Sequence, residues 1–354
     1  MRWDHLQLDV DAPTRAFPGM RDPAVVRRFD APEALDTRFY EIQAKTVLNR
    51  VPGRSAMPFR WTVNPYRGCS HACSYCFARP THEYLDLGPG RDFEREIVVK
   101  VNAPERLRAD LERRGRTTAA REEVALGTNT DPDQWVESRY RLLPGIWRAL
   151  IEARVPASVL TKSPLLLRDV ELMLELRDAA GFEAALSVPT LEERMWRSTE
   201  PHTPHPRARL AAVAELNRRG IPTGVLAAPL MPGINDAPRQ LEELLQACRD
   251  AGAVSVRGIG LHLRGSTRQV FLDWLRSARP DLVDRYEELY RHGPYLPRDE
   301  ARRLSRSILL EEARPLPRDP ARRPGTRDRA RFGARTPVPS ERPASPPPVQ
   351  PSLF

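Results

Sequence analysis

The sequence is poor in cysteine and lysine, and it has no long run of apolar residues. A membrane-spanning helix needs about 18 to 20 such residues, so we expect no span and no membrane partner. Residues 1–5 also lack the apolar core of a secretory signal peptide. Three of the four cysteines lie close together and Cys248 stands alone, which disfavours a disulfide framework. These absences predict a cytoplasmic protein in a reducing compartment.

The positive charge is concentrated near one end of the chain. The formal net charge is +9, and residues 313–354 contribute +6 of it, with nine arginines against three acids. The rest of the chain is nearly balanced, so bulk charge says little about its substrate. The same segment is rich in proline and cannot build a packed core, so we predict a disordered tail. A solvated tail is favoured over a nucleic-acid-binding arm, and nucleic acid stays a candidate partner.

The strongest chemical signal is a Cys-x3-Cys-x2-Cys pattern that follows Gly68 directly and consists of Cys69, Cys73 and Cys76. Three thiolates can surround one soft metal centre, which is zinc, copper(I) or an iron–sulfur cluster. A closed structural zinc site needs a fourth ligand, for which His71 and His82 are candidates. Without such a ligand, three cysteines leave one coordination position open for chemistry.

This loop resembles the cluster-binding loop of the radical S-adenosylmethionine (SAM) enzymes. The resemblance implies that the three cysteines hold a [4Fe–4S] cluster, whose fourth iron binds the amino and carboxylate groups of SAM. Tyr75, just before the last cysteine, matches the aromatic position of the pattern and is assigned to the cofactor site. The resemblance also implies an external electron donor such as flavodoxin or ferredoxin.

From residue 61 onward, short apolar runs alternate with longer amphipathic stretches. The predicted strands are 61–63, 96–100, 123–127, 157–161, 182–187, 222–227 and 254–258, and the predicted helices lie near 104–114, 139–153, 166–180, 206–219 and 239–251. This alternation predicts an α/β protein with a parallel sheet and right-handed crossovers. It is close to the partial (β/α)6, TIM-like barrel of radical SAM enzymes. One strand is in excess, so an early strand should be accessory; a full eight-stranded barrel is the alternative.

Ligands of such barrels bind where the strands end, and three predicted strands end in polar residues. Asn129 and Asp131 follow the strand at 123–127 and can hydrogen-bond hydroxyls or the SAM amino group, or form an Asx-Pro turn. Lys162, one of three lysines, follows the next strand and suits a carboxylate such as that of SAM, unless it is a surface lysine. Ser187 ends the strand after that and can donate to SAM or act as a structural serine.

Within the family, residues 61–264 are most similar to the spore photoproduct lyase branch. The similarity rests on Asn-Pro-Tyr-Arg-Gly-Cys, Thr-Asn-Thr-Asp-Pro, Thr-Lys-Ser and Ser-Val-Pro-Thr, in that order. In the lyases, residues like Lys162 and Ser187 contact the methionine part of SAM. The lyases also carry a hydrogen-donating cysteine beside the aspartate of the corresponding strand-end motif, and here that motif reads Thr128-Asn129-Thr130-Asp131, without a thiol. A hydroxyl is a poorer hydrogen-atom donor than a thiol.

The sequence therefore predicts a radical SAM enzyme with an unknown substrate. The alternatives are a DNA photoproduct lyase-like repair enzyme with a different hydrogen donor, and a non-enzymatic zinc- and nucleic-acid-binding protein. We divide the chain into an N-terminal extension (1–60), a radical SAM core (61–265), a C-terminal helical element (266–312) and the tail (313–354).

Overall fold

The computed structural model describes residues 8–18, 24–29, 36–52, 57, 59–115 and 122–311. The strands are β1 (Leu8–Arg15), β2 (Ala24–Phe29), β3 (Arg38–Ile42), β4 (Leu48–Arg50), β5 (Trp61–Val63), β6 (Tyr66–Arg67), β7 (Glu96–Lys100), β8 (Val124–Leu126), β9 (Ala157–Thr161), β10 (Phe182–Ser187), β11 (Thr223–Leu230), β12 (Ser255–Gly260) and β13 (Leu309–Glu311). The α-helices are α1 (Arg91–Arg95), α2 (Ala103–Arg114), α3 (Glu137–Tyr140), α4 (Leu142–Ala153), α5 (Val170–Ala179), α6 (Glu193–Thr199), α7 (Pro206–Arg218), α8 (Pro238–Asp250), α9 (Thr267–Ala278), α10 (Val283–Leu289) and α11 (Arg298–Ser307). Three 3-10 helices span Arg79–Leu85, Pro164–Asp169 and Pro280–Leu282.

The main sheet has the strand order β13-β12-β11-β10-β9-β8-β5-β4. Six of these strands, from β5 to β12, pair in parallel with their neighbours. The short strands β4 and β13 pair antiparallel at the two edges. This arrangement confirms the predicted partial (β/α)6 barrel. The alternative of eight parallel strands is not formed in the described part of the chain.

The strand in excess is β7, which belongs to a second sheet with the order β1-β2-β3-β7-β6. It pairs in parallel with β3, and its first residue, Glu96, accepts hydrogen bonds from Arg38 and Tyr40 of β3. One of the early strands is therefore accessory to the barrel, as the count predicted. The segment before residue 61 supplies three strands of this second sheet and β4 of the main sheet. The predicted domain boundaries stay a prediction, and the tail at 313–354 lies outside the described residues.

Helix α4 shows how the sequence fixes the barrel wall. Leu143, Ile146, Trp147 and Leu150 recur at helical spacing and are fully buried. The Trp147 ring packs edge-on against Phe182 of β10, with ring centroids 5.5 Å apart. This packing holds the helix that connects β8 to β9 against the sheet. No helix in the described ranges is long and apolar enough to cross a bilayer.

Candidate functional site

The three clustered cysteines lie on a loop between β6 and the 3-10 helix at Arg79–Leu85. Cys69 and Cys73 are buried and Cys76 is half-buried, and all three are free thiols. Burial raises the pKa of each thiol because an apolar environment disfavours the thiolate. A metal centre binds thiolates and reverses that preference, so these buried thiols suit a metal rather than solvent.

Arg79 holds the cysteine loop through the loop's backbone. Its guanidinium is almost fully buried and donates to the carbonyl oxygens of Ala72 and Cys73, with an Nη2–O distance of 2.8 Å to Cys73. On its other side it donates to the carbonyl oxygens of Pro89 and Gly90, each at 3.0 Å. A planar five-donor group can make all these bonds at once, so Arg79 sets the shape of the loop.

The loop begins with a turn that only glycine fits. Gly68 has a φ of +84°, and a Cβ there would lie 2.9 Å from the carbonyl oxygen of Phe93. The same oxygen accepts the hydrogen bond from the Cys69 amide at 2.9 Å. Phe93 therefore cannot move away without releasing the first cysteine of the loop.

Gly68→Ala is expected to lower the free energy of unfolding by about 3 kcal/mol, through the positive φ and the backbone clash together. The matched control is Gly252→Ala, whose φ is +66° and whose added Cβ meets no atom within 4 Å. It should cost only about 1 kcal/mol. Urea denaturation of both variants measures the difference, and equal losses would show that the Phe93 contact does not constrain the loop.

The end of β8 is tied to both β9 and the cysteine loop by Asp131. One carboxylate oxygen accepts from the Thr161 hydroxyl at 2.6 Å and from the Asp133 amide at 3.0 Å. The other accepts from the Lys162 amide at 2.7 Å and lies 3.3 Å from Nδ1 of His71. Burial alone would raise the pKa of Asp131, but these contacts outweigh it and leave that pKa below its usual value. Asp131 thus accepts three hydrogen bonds from the protein, one of which holds the Lys162 backbone.

Gln134 makes a second link between the same strand end and the cysteine loop. Its side chain accepts from the Ser70 amide at 3.1 Å and donates to the Gly68 carbonyl oxygen at 3.2 Å.

Asn129 differs from its neighbours, because it is half-buried and makes no side-chain hydrogen bond within the described part of the chain. Of the two polar residues predicted at this strand end, Asn129 is the one whose amide is available to a ligand.

Lys162, Ser187 and Tyr75 are brought together next to the cysteine loop. The Lys162 ammonium donates to the Ser187 hydroxyl at 2.5 Å, lies 3.0 Å from a carboxylate oxygen of Glu200, and sits 5.6 Å from the centre of the Tyr75 ring. The Tyr75 hydroxyl donates to the same Glu200 oxygen. The charges of Glu200 and Lys162 both act on the pKa of Cys73, which shows how near this group is to the loop.

Glu200 and Arg209 form the ion pair beneath these residues, and both side chains are completely buried. Burial alone would raise the pKa of Glu200, but Arg209 and then Lys162 lower it to about 2, so it is a carboxylate at neutral pH. Arg209 also donates to the backbone oxygens of Ser187 and Pro204, at 2.9 and 2.8 Å. The pair thus orients Lys162, Ser187 and Tyr75 from one side.

Sequence reasoning did not single out Glu200 or Arg209. In the sequence Glu200 follows Arg194 and Arg197, and this grouping fits substrate contacts and a solvated helix face equally. Arg197 is in fact exposed and pairs with Glu193 on α6. Glu200 follows that helix and turns inward, and periodicity carries no signal for a residue in a turn. The only available hint was a charge in a segment otherwise rich in proline, threonine and histidine.

The donor set fits an iron–sulfur cluster better than a closed zinc site. His82, one candidate for a fourth zinc ligand, has Nε2 2.8 Å from the Glu96 carbonyl oxygen, and burial lowers its pKa to about 4. His71 faces Asp131. In the described ranges, no three His, Cys, Asp or Glu side chains form a group that could hold a metal ion. The cysteines of a four-iron cluster bind different iron atoms and need not converge on one point.

Comparison with known proteins assigns the class. The family model described as the Radical SAM superfamily matches residues 63–248, which is more than half of the chain and contains the cysteine loop and the strand ends above. The chain belongs to the radical SAM superfamily, and it is a radical SAM enzyme. The superfamily implies SAM and an iron–sulfur cluster as cofactors.

Two relatives match the chain over different lengths. An uncharacterized protein of Mycobacterium tuberculosis strain H37Rv, Rv2578c, is 43% identical over 100% of both chains. A protein of Methanocaldococcus jannaschii, MJ0683, is 26% identical over 55% of this chain and 69% of its own.

Solved structures of spore photoproduct lyase share the fold. A mutant of that enzyme superimposes with a TM-score of 0.56 over 76% of this chain and 77% of its own, at 17% identity. A second mutant, with bound AdoMet and dinucleoside spore photoproduct, gives a TM-score of 0.54 over 76% of each chain, also at 17% identity. The predicted similarity to the lyase branch is confirmed at the level of the fold.

Proposed function

We propose that Cys69, Cys73 and Cys76 hold a [4Fe–4S] cluster and that this enzyme cleaves SAM reductively. The proposal rests on three free thiols, two of them buried, on a loop that Arg79 holds, and on the Lys162 and Ser187 pair beside that loop. When bound, the reduced cluster and SAM supply methionine and a 5′-deoxyadenosyl radical that abstracts hydrogen from a substrate. A cytoplasmic location and an external one-electron donor are part of the same proposal.

The side chains around the loop are assigned to SAM by their charge and position. Lys162 offers an ammonium to the SAM carboxylate, and Ser187 offers a hydroxyl beside it. Asn129 offers a free amide to the amino group or the ribose. Tyr75, on the loop itself, has its ring 5.6 Å from the Lys162 ammonium, and its hydroxyl is held by Glu200. Asp131 acts indirectly, because it holds the Lys162 backbone in place.

The second candidate function is a DNA photoproduct lyase-like reaction, which differs from the first in specifying the substrate. The observation in its favour is that the fold matches a lyase whose structure contains a dinucleoside photoproduct. The thiol of the lyase mechanism has no counterpart here, since residues 128–131 contain no cysteine. Cys248 lies on α8, where burial raises its pKa to about 12, and it is not among the residues at the strand ends. A lyase-like reaction in this chain would therefore need a different hydrogen donor.

The proposed function is tested by anaerobic reconstitution with iron and sulfide. We expect brown protein with about four iron and about four sulfide per chain, which forms 5′-deoxyadenosine from SAM when dithionite is added. A single colourless zinc ion per chain would contradict the cluster assignment. Deuterium transfer from candidate substrates into 5′-deoxyadenosine then identifies what the radical attacks.

A further inference from the structure

The three lysines of the chain lie in three different environments. Lys45 is exposed, and the Lys162 ammonium lies 3.0 Å from a carboxylate oxygen of Glu200. Lys100, the last residue of β7, leaves only 2% of its surface exposed and makes no side-chain hydrogen bond or ion pair within the described ranges. Burying an amine without a partner costs free energy, so this position needs an explanation.

A second buried cation lies on the same face of the second sheet. Strands β6 and β7 pair antiparallel with Arg67 opposite Val98, and Lys100 lies two residues further along β7. Since side chains alternate between the faces of a strand, Arg67, Val98 and Lys100 project from one face. Arg67 leaves 5% of its surface exposed. The two cations are diagonal neighbours on paired strands, a separation that long side chains can bridge.

The charges around Lys100 show that these two side chains interact. Burial, and then the charge of Arg67, lower the pKa of Lys100 to about 7, against an opposite effect of Asp110 on α2. The Asp110 carboxylate already accepts hydrogen bonds from residues 46–48. Glu96, on the same face of β7, accepts hydrogen bonds from β3. Neither acid is paired with Lys100.

We propose that Arg67 and Lys100 form a binding site for the phosphate group of a small anion. A phosphate dianion balances two cations, and its oxygens can accept from a guanidinium fork and from an ammonium at the same time. Because both side chains are almost fully buried, the ligand is small, which favours a free ion or a small monoester over a phosphate on a polymer. The inference is independent of the proposed function, since it involves no step at the cluster.

The alternative is that Lys100 stays neutral and only fills space. The position of Arg67 argues against this, because it adds repulsion whenever the amine is protonated and gives the neutral amine no hydrogen bond in return. The two cases differ in their response to anions. A lysine that only fills space can be replaced by methionine without changing that response, whereas a phosphate ligand loses affinity.

The test is phosphate binding to the reconstituted full chain, against chloride of equal ionic strength. Lys100→Met keeps most of the apolar stem and removes the charge, and Lys45→Met makes the same change at an exposed position. We expect Lys100→Met to weaken phosphate binding about 10- to 100-fold in titration calorimetry, through the loss of one buried charge-assisted hydrogen bond. Lys45→Met should bind as the wild type does. Saturating phosphate should raise the melting temperature of the wild type by about 3 °C more than that of Lys100→Met.

A proton count separates binding at Lys100 from a general effect of phosphate. At pH 8 the Lys100 amine is mostly neutral, because its pKa is about 7. An anion beside the amine raises that pKa, so phosphate binding should take up about one proton. Calorimetry in two buffers of different ionisation enthalpy measures the uptake, and Lys100→Met should show none.

Glycerol 3-phosphate and acetate complete the comparison. Tighter binding of glycerol 3-phosphate than of inorganic phosphate would identify a monoester as the ligand, and the reverse would identify the free ion. The proposal would be overturned by wild-type protein that binds neither phosphate, by acetate binding as tight, or by undiminished phosphate binding in Lys100→Met. Should Lys100→Met not fold, the wild type alone decides, because phosphate binding without proton uptake at pH 8 would contradict a site at Lys100.

Discussion

Cys73→Ala is expected to abolish 5′-deoxyadenosine formation and to lower the iron content of the reconstituted protein. Cys73 is the middle thiol of the loop, and its carbonyl oxygen is the one held most closely by Arg79. Alanine keeps that backbone contact and removes only the sulfur. The loss should therefore fall on the metal centre, while the fold persists because replacing a buried thiol by a methyl group leaves only a small cavity. Iron analysis, visible absorption and chromatography measure the three consequences.

The matched control is Cys248→Ala, which removes the fourth thiol of the chain. Cys248 is fully buried on α8 and behaves as a small apolar residue. Its removal should cost about 1 kcal/mol of folding free energy, from the small cavity it leaves, and should leave iron content and product formation intact. If Cys73→Ala formed as much 5′-deoxyadenosine as Cys248→Ala, the proposed radical mechanism would be wrong.

Arg209→Met is expected to lower the free energy of unfolding by about 3 to 5 kcal/mol, because it leaves the Glu200 carboxylate buried with half of its compensation. The lost contacts include the Arg209 bond to the Ser187 backbone, so SAM affinity should fall as well. Denaturant unfolding measures the first effect and SAM titration of the reconstituted protein the second. The control is Arg197→Met, which removes an exposed pair with Glu193 and should cost less than about 0.5 kcal/mol.

The same pair predicts a distinct pH dependence. The pKa of Glu200 is lowered from 4.5 to about 2, so its contribution to stability is present above about pH 4.5 and is lost as the pH falls toward 2. In Arg209→Met the pKa of Glu200 rises, because burial is then opposed only by Lys162 and the Tyr75 hydroxyl among the groups that lower it in the wild type. The stability difference between wild type and variant should thus be largest near neutral pH and shrink below pH 4. A difference that stays constant with pH would mean that lost packing, not the charge pair, explains the destabilisation.

The sequence predicted the barrel and the gathering of polar residues because both follow from chain-local rules. Buried parallel strands such as β9 are short apolar runs, and parallel strands end at one edge, so the position of Lys162 and Ser187 followed from order alone. The sheet to which β7 belongs was not predictable in this way. All five residues of β7 are buried, so both faces of the strand are covered. The sequence of the strand does not show which elements cover them.

The Glu200–Arg209 ion pair was not predictable from the sequence, for a different reason. Glu200 and Arg209 are nine positions apart, and they meet only because a turn and the start of α7 fold back on one another. Arg79 shows the opposite case. It follows the cysteines closely, yet its partners on the cysteine loop are backbone oxygens, which no residue type in the sequence reveals.

Because Arg79 binds the cysteine loop through its carbonyl oxygens, the backbone conformation of the loop depends little on the loop's own side chains. Phe77 lies just past the segment that Arg79 holds, and its side chain points to solvent. Substitution at this position can alter the outer surface while the spacing of the three thiols is preserved. The arrangement of the three thiols and the character of the exposed surface beside them can therefore evolve independently.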